Sequence, residues 1–230
     1  MMPTQLNMGE NKQVPRVAQD VAIPSRAQCR EFFEEYHVPH NVRVHCGRVH
    51  RVAVVIATLL VAKGVELNVE FVERLAVLHD LFKMIGIKEF GSGAHKGETL
   101  SARQIDFWTE MKKKFPVHNE TEVAHEIFKD DFPELAVALK NLGASTVADS
   151  WEQMIVHYSD FRVFKNNVVS IEERLLYLQN QYSHPPSWWA AYATHVVAIE
   201  KKIFEILDFS ADELARVVES GEIEHVQVVP

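Results

Sequence analysis

Apolar residues recur along the chain at steps of three and four, the period of helices buried on one face, and no pair of segments alternates as neighbouring strands do. The first 22 residues lack this period and are rich in Asn, Gln, Pro and Lys, so 1–22 is expected to be a mobile tail. Ser25 is placed to cap a helix over 26–36 whose Cys29, Phe32 and Phe33 share a face. Val38-Pro39 ends it, because the residue before a proline avoids the helical region. The strongest pattern spans 41–63, where Val42, His45, Val49, Val52, Ala53, Ile56 and Leu60 form one stripe before Gly64. Asn68 caps a third helix over 69–84, with Phe71, Leu75, Leu78 and Leu81 along one side.

Four of the nine glycines fall between Gly86 and Gly97, which predicts a loop over or beside whatever the third helix presents. Helices are predicted over 98–115, 120–129, 133–141 and 148–164. Ser170 with Glu173 makes a capping-box pattern for a helix ending near 182, and segments 188–207 and 210–219 complete the set. The chain therefore reads as all-α, a helical bundle. Its expected organisation is the tail 1–22, a helical domain 23–209 with a loop-and-helix insertion at about 86–118, and a short C-terminal helix and tail over 210–230.

Composition narrows the function. A content of 47% hydrophobic residues in 230 fills one core, and a net charge of −8 with scattered Lys and Arg leaves no basic footprint for nucleic acid. A small anionic substrate would then need a local positive centre, which a bound cation supplies. The two cysteines, Cys29 and Cys46, have no CxxC spacing, which argues against a disulfide scaffold or zinc knuckle and for a reducing, cytoplasmic setting. The longest apolar run, 52–62, is shorter than the roughly 20 residues a bilayer requires, so it reads as a core helix and no membrane partner is expected. Neither a GxxxxGK phosphate loop nor a GxSxG elbow is present.

The third helix carries His79-Asp80 near its end, a dipeptide that by itself says little. Its setting says more. His45 sits in the apolar stripe of the preceding helix, and Asp160 ends the run Ile155-Val156-His157-Tyr158-Ser159. An ionised Asp among apolar residues is costly unless paired or bound to a cation. Two imidazoles and two carboxylates from three helices suffice to surround one divalent ion and leave positions for water and substrate. Taken singly, His45 reads better as a satisfied core histidine and Asp160 as a solvated or salt-bridged residue.

Together the blocks resemble the HD-domain phosphohydrolases, in which a His, a later His-Asp pair and a distant Asp lie on successive helices. The likeness rests on His40-Asn41-Val42-Arg43-Val44-His45, on Leu75-Ala76-Val77-Leu78-His79-Asp80-Leu81-Phe82-Lys83 and on Tyr158-Ser159-Asp160, and spans about 37–182. It implies an HD-type helical fold, a phosphomonoesterase or phosphodiesterase activity on a nucleotide or other small phosphorylated metabolite, and metal ligands His45, His79, Asp80 and Asp160. The cofactor would be one divalent ion, Mn, Fe, Co, Ni, Zn or Mg.

Asp80 is also the candidate to orient or deprotonate the water, and Lys83 to contact the phosphate, with His118 and Arg48 as further substrate-binding candidates. Family members often continue the pair as Ile-Gly-Lys, where this chain has Leu81-Phe82-Lys83, and deoxynucleotidase-like members have Glu at the place of Lys83. His118 and His125 lie between the pair and Asp160, but 139–143 lacks the histidine of two-metal members, so one ion is expected. A non-catalytic metal- and nucleotide-binding sensor or scaffold is the alternative, and a homo-oligomer is left open. His37, His40 and His50 are expected at the surface, and Trp151, Trp188 and Trp189 in packing roles.

Overall fold

Side-chain caps set most of the helix starts. Capping boxes pair Ser25 with Gln28 before α1 (Arg26–Glu35), Ser101 with Gln104 before α4 (Ala102–Lys114), Asn119 with Glu122 before α5 (Glu120–Phe128) and Ser170 with Glu173 before α8 (Ile171–Gln181). Asn68 caps α3 (Val69–Leu78) and Ser150 caps α7 (Trp151–Arg162). Proline opens the first turn of α6 (Pro133–Leu142) and α9 (Pro186–Phe204), where its missing N–H costs nothing. With α2 (His40–Ala62) and α10 (Leu214–Glu219), the described chain is predominantly helical, as expected. The structure, a computed structural model, describes residues 21–90, 99–143 and 150–221. Most of the expected tail 1–22, residues 91–98 of the expected loop, residues 148–149 of the expected helix 148–164 and residues 222–230 lie outside these.

The core is organised around α2, which packs along α3 and α7. Val49, Val52, Ala53, Ile56, Ala57 and Leu60 are fully buried there, and each large aliphatic side chain so buried contributes about 1.5–3 kcal/mol. The stripe carries His45 inward with it. By length and composition the whole of α2, 23 residues, is apolar enough to cross a membrane, whereas the run 52–62 alone is too short; here its stripe is the seam of the core. The pair α5–α6 packs against the end of α3, and α8–α9 against α7.

Three sequence expectations need correction. First, α3 ends at Leu78 and not near residue 84: Leu81, Lys83 and Ile85 donate to carbonyls three residues back, in tight turns leading into a 3-10 turn at Lys83–Ile85. Second, a strand pair exists. Val163–Phe164 pairs antiparallel with Asn167–Val168, and Lys165 takes a left-handed φ of 56° in the connection. Two-residue strands are too short to show an alternating pattern. Third, His50 is only 5% exposed, drawn inside on α2 beside the Glu73 carboxylate.

Glu73 closes a buried ion cluster that fixes α1 to α3. Arg26 grips it with two bonds, Nε at 2.6 Å and Nη2 at 2.7 Å, and Arg74 donates to the same carboxylate and to the carbonyl of Pro24. Burial by itself would raise the Glu73 carboxyl, but these two guanidinium groups hold it below its ordinary value. We predict that Glu73→Ala, which strands the buried Arg74, lowers unfolding free energy by about 3 kcal/mol or more in urea titrations. Because the folded-state value is depressed, the carboxylate's contribution is complete above the unfolded-state value. It is lost as pH falls through the folded one, so the gap between wild type and variant should narrow only in acid. A gap independent of pH, or absent, would show that the cluster does not hold α1.

Candidate functional site

Where α2, α3 and α7 meet, the apolar stripes bring four polar side chains to one place. His45 is the inward-facing residue of α2, His79 and Asp80 follow directly on the last turn of α3, and Asp160 belongs to the last turn of α7. His45 Nε2 donates to Asp160 Oδ1 at 3.0 Å and lies 3.8 Å from Asp80 Oδ2. His79 Nε2 lies 3.8 Å from Asp80 Oδ2 and 3.6 Å from Asp160 Oδ1. One ligand atom each from His45, His79 and Asp80 fall within 4.8 Å of one another, a group able to hold a metal ion.

The donor set fits a divalent cation in its details. His79 Nδ1 donates to the Ala76 carbonyl at 2.8 Å, which orients the ring and directs Nε2 at the cluster. That Nε2 is sealed from solvent and has no hydrogen-bond partner among the described residues. Burial opposes a charge on His79, yet Asp80, with Asp160, outweighs it and keeps the imidazole protonated well above its usual pH. Asp160 shows the converse: burial would raise its carboxyl, but His45 and His79 hold it well below the usual range. The cluster thus favours a positive charge at its centre.

Asp80 divides its carboxylate. Oδ2 faces the two imidazoles, while Oδ1 takes the Lys83 ammonium at 3.3 Å. The tight turns after α3 are the cause, since residues three apart lie over one another in 3-10 geometry. Asp80, and Glu120 at 3.6 Å, keep Lys83 charged above its ordinary range.

A cavity of about 110 Å³ opens on this side, lined by His79, Asp80, Lys83, Glu120, His157 and Asp160 among others. That is well under the roughly 300–1,000 Å³ of pockets enclosing a drug-sized ligand, so it takes an ion and a small group, with the remainder of a larger substrate outside.

Of the residues singled out in the sequence, His45, His79, Asp80, Asp160 and Lys83 come together. Arg48 and His118 do not join them. The Arg48 guanidinium pairs with Glu219 of α10, and His118 packs edge-on against Phe115 with its ring at 5.7 Å; neither lines the cavity. Arg162 is structural, bonding Tyr158, Glu200 and the carbonyls of Val169 and Ala211.

Sequence reasoning missed Glu120, Thr121 and His157. α5 begins at a capping box on Asn119, and two glycines leave room for its first side chains. A Cβ on Gly86 would stand 2.6 Å from Glu120 Oε2, and one on Gly143 would stand 2.5 Å from Thr121 Oγ1. Gly143 is thus needed for room and not for a left-handed turn, its φ being −76°.

We predict that Mn²⁺ or Zn²⁺ binds wild type at one equivalent per chain. At a hundredfold excess over Kd the stabilisation is about 2.7 kcal/mol, or a Tm rise of about 5–10 °C. His79→Ala and Asp160→Ala should abolish the rise, and affinity should strengthen with pH as the imidazole proton is displaced. Undiminished binding to both variants would exclude this cluster as the metal centre. Comparisons of the chain with family models, with curated proteins and with solved structures gave no match.

Proposed function

We propose that the chain is a metal-dependent phosphohydrolase of the HD-domain type, with His45, His79, Asp80 and Asp160 as the complete ligand set and a small phosphorylated metabolite or nucleotide as substrate. The observation that carries the reading is the juxtaposition of a cation-favouring His/Asp cluster with a charged lysine beside one small cavity, which His79, Asp80, Asp160 and Lys83 line. Asp160 extends the three-residue group through Oδ1, 3.0 and 3.6 Å from the two imidazole nitrogens. The sequence resemblance supports the same reading, since its three separated blocks converge here.

A divalent ion held by His45, His79, Asp80 and Asp160 would supply a Lewis acid for a phosphoryl oxygen and would make a nearby water more acidic. The chain's own residues do the rest. Lys83 presents its ammonium to the phosphate while Asp80 Oδ1 and Glu120 hold it in position. Asp80, held ionised against burial by Lys83 and His79, is the base nearest to an attacking water. His79, locked through Nδ1, and His45 fix the geometry of the cluster. A purely structural zinc site is less well matched, because such sites usually rely on cysteine and are closed, while this one adjoins an open cavity.

The decisive experiment is a panel of phosphate esters assayed with the metal-free protein reloaded with each ion. Phosphate release should need the metal, and Asp80→Ala should fall by at least about a thousandfold, the scale of losing a base and a ligand together. Lys83→Ala should keep one metal per chain while raising KM or lowering kcat by about ten- to a hundredfold, the scale of a charge-assisted hydrogen bond. Metal binding without turnover of any phosphate ester would instead favour a metal-dependent sensor.

A further inference from the structure

We propose that Glu120 is a specificity-determining residue that selects the charge of the substrate's alcohol portion: it favours phosphate esters of amino alcohols and rejects esters carrying a second anionic group. This deepens the phosphohydrolase reading above and rests on it. A carboxylate beside a phosphate position is costly, because like charges repel at short range. Asp80 and Asp160 have their reason in the cation cluster. Glu120 has no such reason. It stands on α5, apart from the three helices that build the cluster, yet it lines the same cavity as Lys83, Asp80 and Asp160.

Two ordinary roles are already filled by other residues. An acidic residue in the first turn of a helix favours the dipole, and at α5 Glu122 does this while closing the capping box, accepting from the Asn119 backbone N–H at 2.8 Å. Lys83 likewise has a nearer carboxylate, Asp80 Oδ1 at 3.3 Å against Glu120 Oε1 at 3.6 Å. The Glu120 carboxylate is also within reach of a ligand. Its side chain is 27% exposed on the cavity wall, and Gly86 leaves the room it occupies, since a Cβ there would stand 2.6 Å from Oε2.

Position fixes what Glu120 meets. The Lys83 ammonium contacts both Asp80 of the cluster and Glu120 of α5. A phosphoryl group shared by Lys83 and a cation at the cluster therefore lies within a few ångströms of Glu120, as do the first atoms of the alcohol it esterifies. Charge then decides which alcohols are accepted. The three carboxylates of the wall are balanced by Lys83 and one divalent ion, so a bound phosphate dianion leaves two uncompensated negative charges. An ammonium on the alcohol portion reduces these to one and gives Glu120 an opposite charge. A carboxylate or second phosphate there raises them to three or more. Charges this close, in a partly enclosed site, are screened little by salt.

The test uses the Mn²⁺-loaded full chain and probes that are not hydrolysed, titrated calorimetrically. They are inorganic phosphate, 3-aminopropylphosphonate against its neutral isostere butylphosphonate, and 3-phosphonopropionate against its amide. Wild type should bind the amino compound about tenfold more tightly than the butyl compound, and the amide about tenfold more tightly than the carboxylate, the scale of one contact to a charged group. In Glu120→Gln both preferences should fall to about onefold. Any loosening of Lys83 acts on all probes alike and cancels in these ratios. Glu134→Gln, which removes an exposed charge from the first turn of α6, should keep both preferences. Equal binding within each pair by wild type, survival of the preferences in Glu120→Gln, or their equal loss in Glu134→Gln overturns the assignment. Should Glu120→Gln lose helical content, Glu120→Ala, which removes the same charge, decides. Failure of inorganic phosphate to bind the metal-loaded wild type overturns the phosphohydrolase reading and this proposal together, whereas phosphate binding without the charge preferences sinks the proposal alone.

Discussion

Two carboxylates at the junction of three apolar helices have to be compensated, and that requirement governs the architecture around them. Asp80, with 14% of its side chain exposed, cannot stay ionised there on hydration alone, while Asp160 keeps 41% of its side chain exposed; both are met by cationic or donor groups: His45 from α2, His79 at the end of α3, and, for Asp80, Lys83 beyond it. The compensation works only if α2, α3 and α7 are held in register. The aliphatic seam of α2 supplies the packing, and polar clasps outside the site hold the ends. Glu73 with Arg26 and Arg74 fastens α1 to α3, while Arg162, two residues past Asp160, bonds Tyr158, Glu200 and two backbone carbonyls to anchor the end of α7.

A second constraint acts on the backbone. An α-helix continuing past Leu78 would separate Asp80 and Lys83 by about 300° around its axis, leaving them offset by nearly a sixth of a turn. Bonds to the third residue back tighten the chain and bring them into line, so that one oxygen of Asp80 faces the imidazoles and the other the ammonium. The same carboxylate thereby links the cation position to the phosphate-binding group. Gly86, ending the 3-10 turn, leaves the space that Glu120 fills on the far side of Lys83.

Much of this was legible in the sequence, and what escaped did so for identifiable reasons. The helices read well because their caps and stripes are local: Ser25, Asn68, Asn119, Ser150 and Ser170 each bond a backbone N–H within three residues. His45 and Asp160 could be singled out because a polar residue inside an apolar period demands an explanation. Glu120 offered no such signal, being an acidic residue in the first turn of a helix, where the helix dipole alone accounts for it. Its place in the cavity depends on how α5 packs beside the 3-10 turn at Lys83–Ile85, a long-range packing fact. Arg48, named from the sequence as a substrate-binding candidate, lies three residues beyond His45 on α2, and its side chain reaches Glu219 of α10 instead. His157 was visible in the run before Asp160, but a histidine among apolar residues is ordinarily a core residue, and only its unpartnered nitrogen beside a cavity sets it apart.

Charge balance explains why, on the proposed reading, recognition of phosphate has to be short-ranged. The cavity wall carries three carboxylates, Asp80, Asp160 and Glu120, against one ammonium, Lys83, leaving two net negative charges when the histidines are neutral. One divalent ion brings that count to zero, and the chain as a whole carries −8. No long-range field then draws a dianion inward, and electrostatic steering does not assist its arrival. What remains is direct contact: an open coordination position and an ammonium already fixed by two carboxylates. Such a site gains its selectivity from geometry within a few ångströms, where Lys83 and a cation stand close enough for a phosphoryl oxygen to touch both, and where Glu120 repels an anion that arrives displaced from that position.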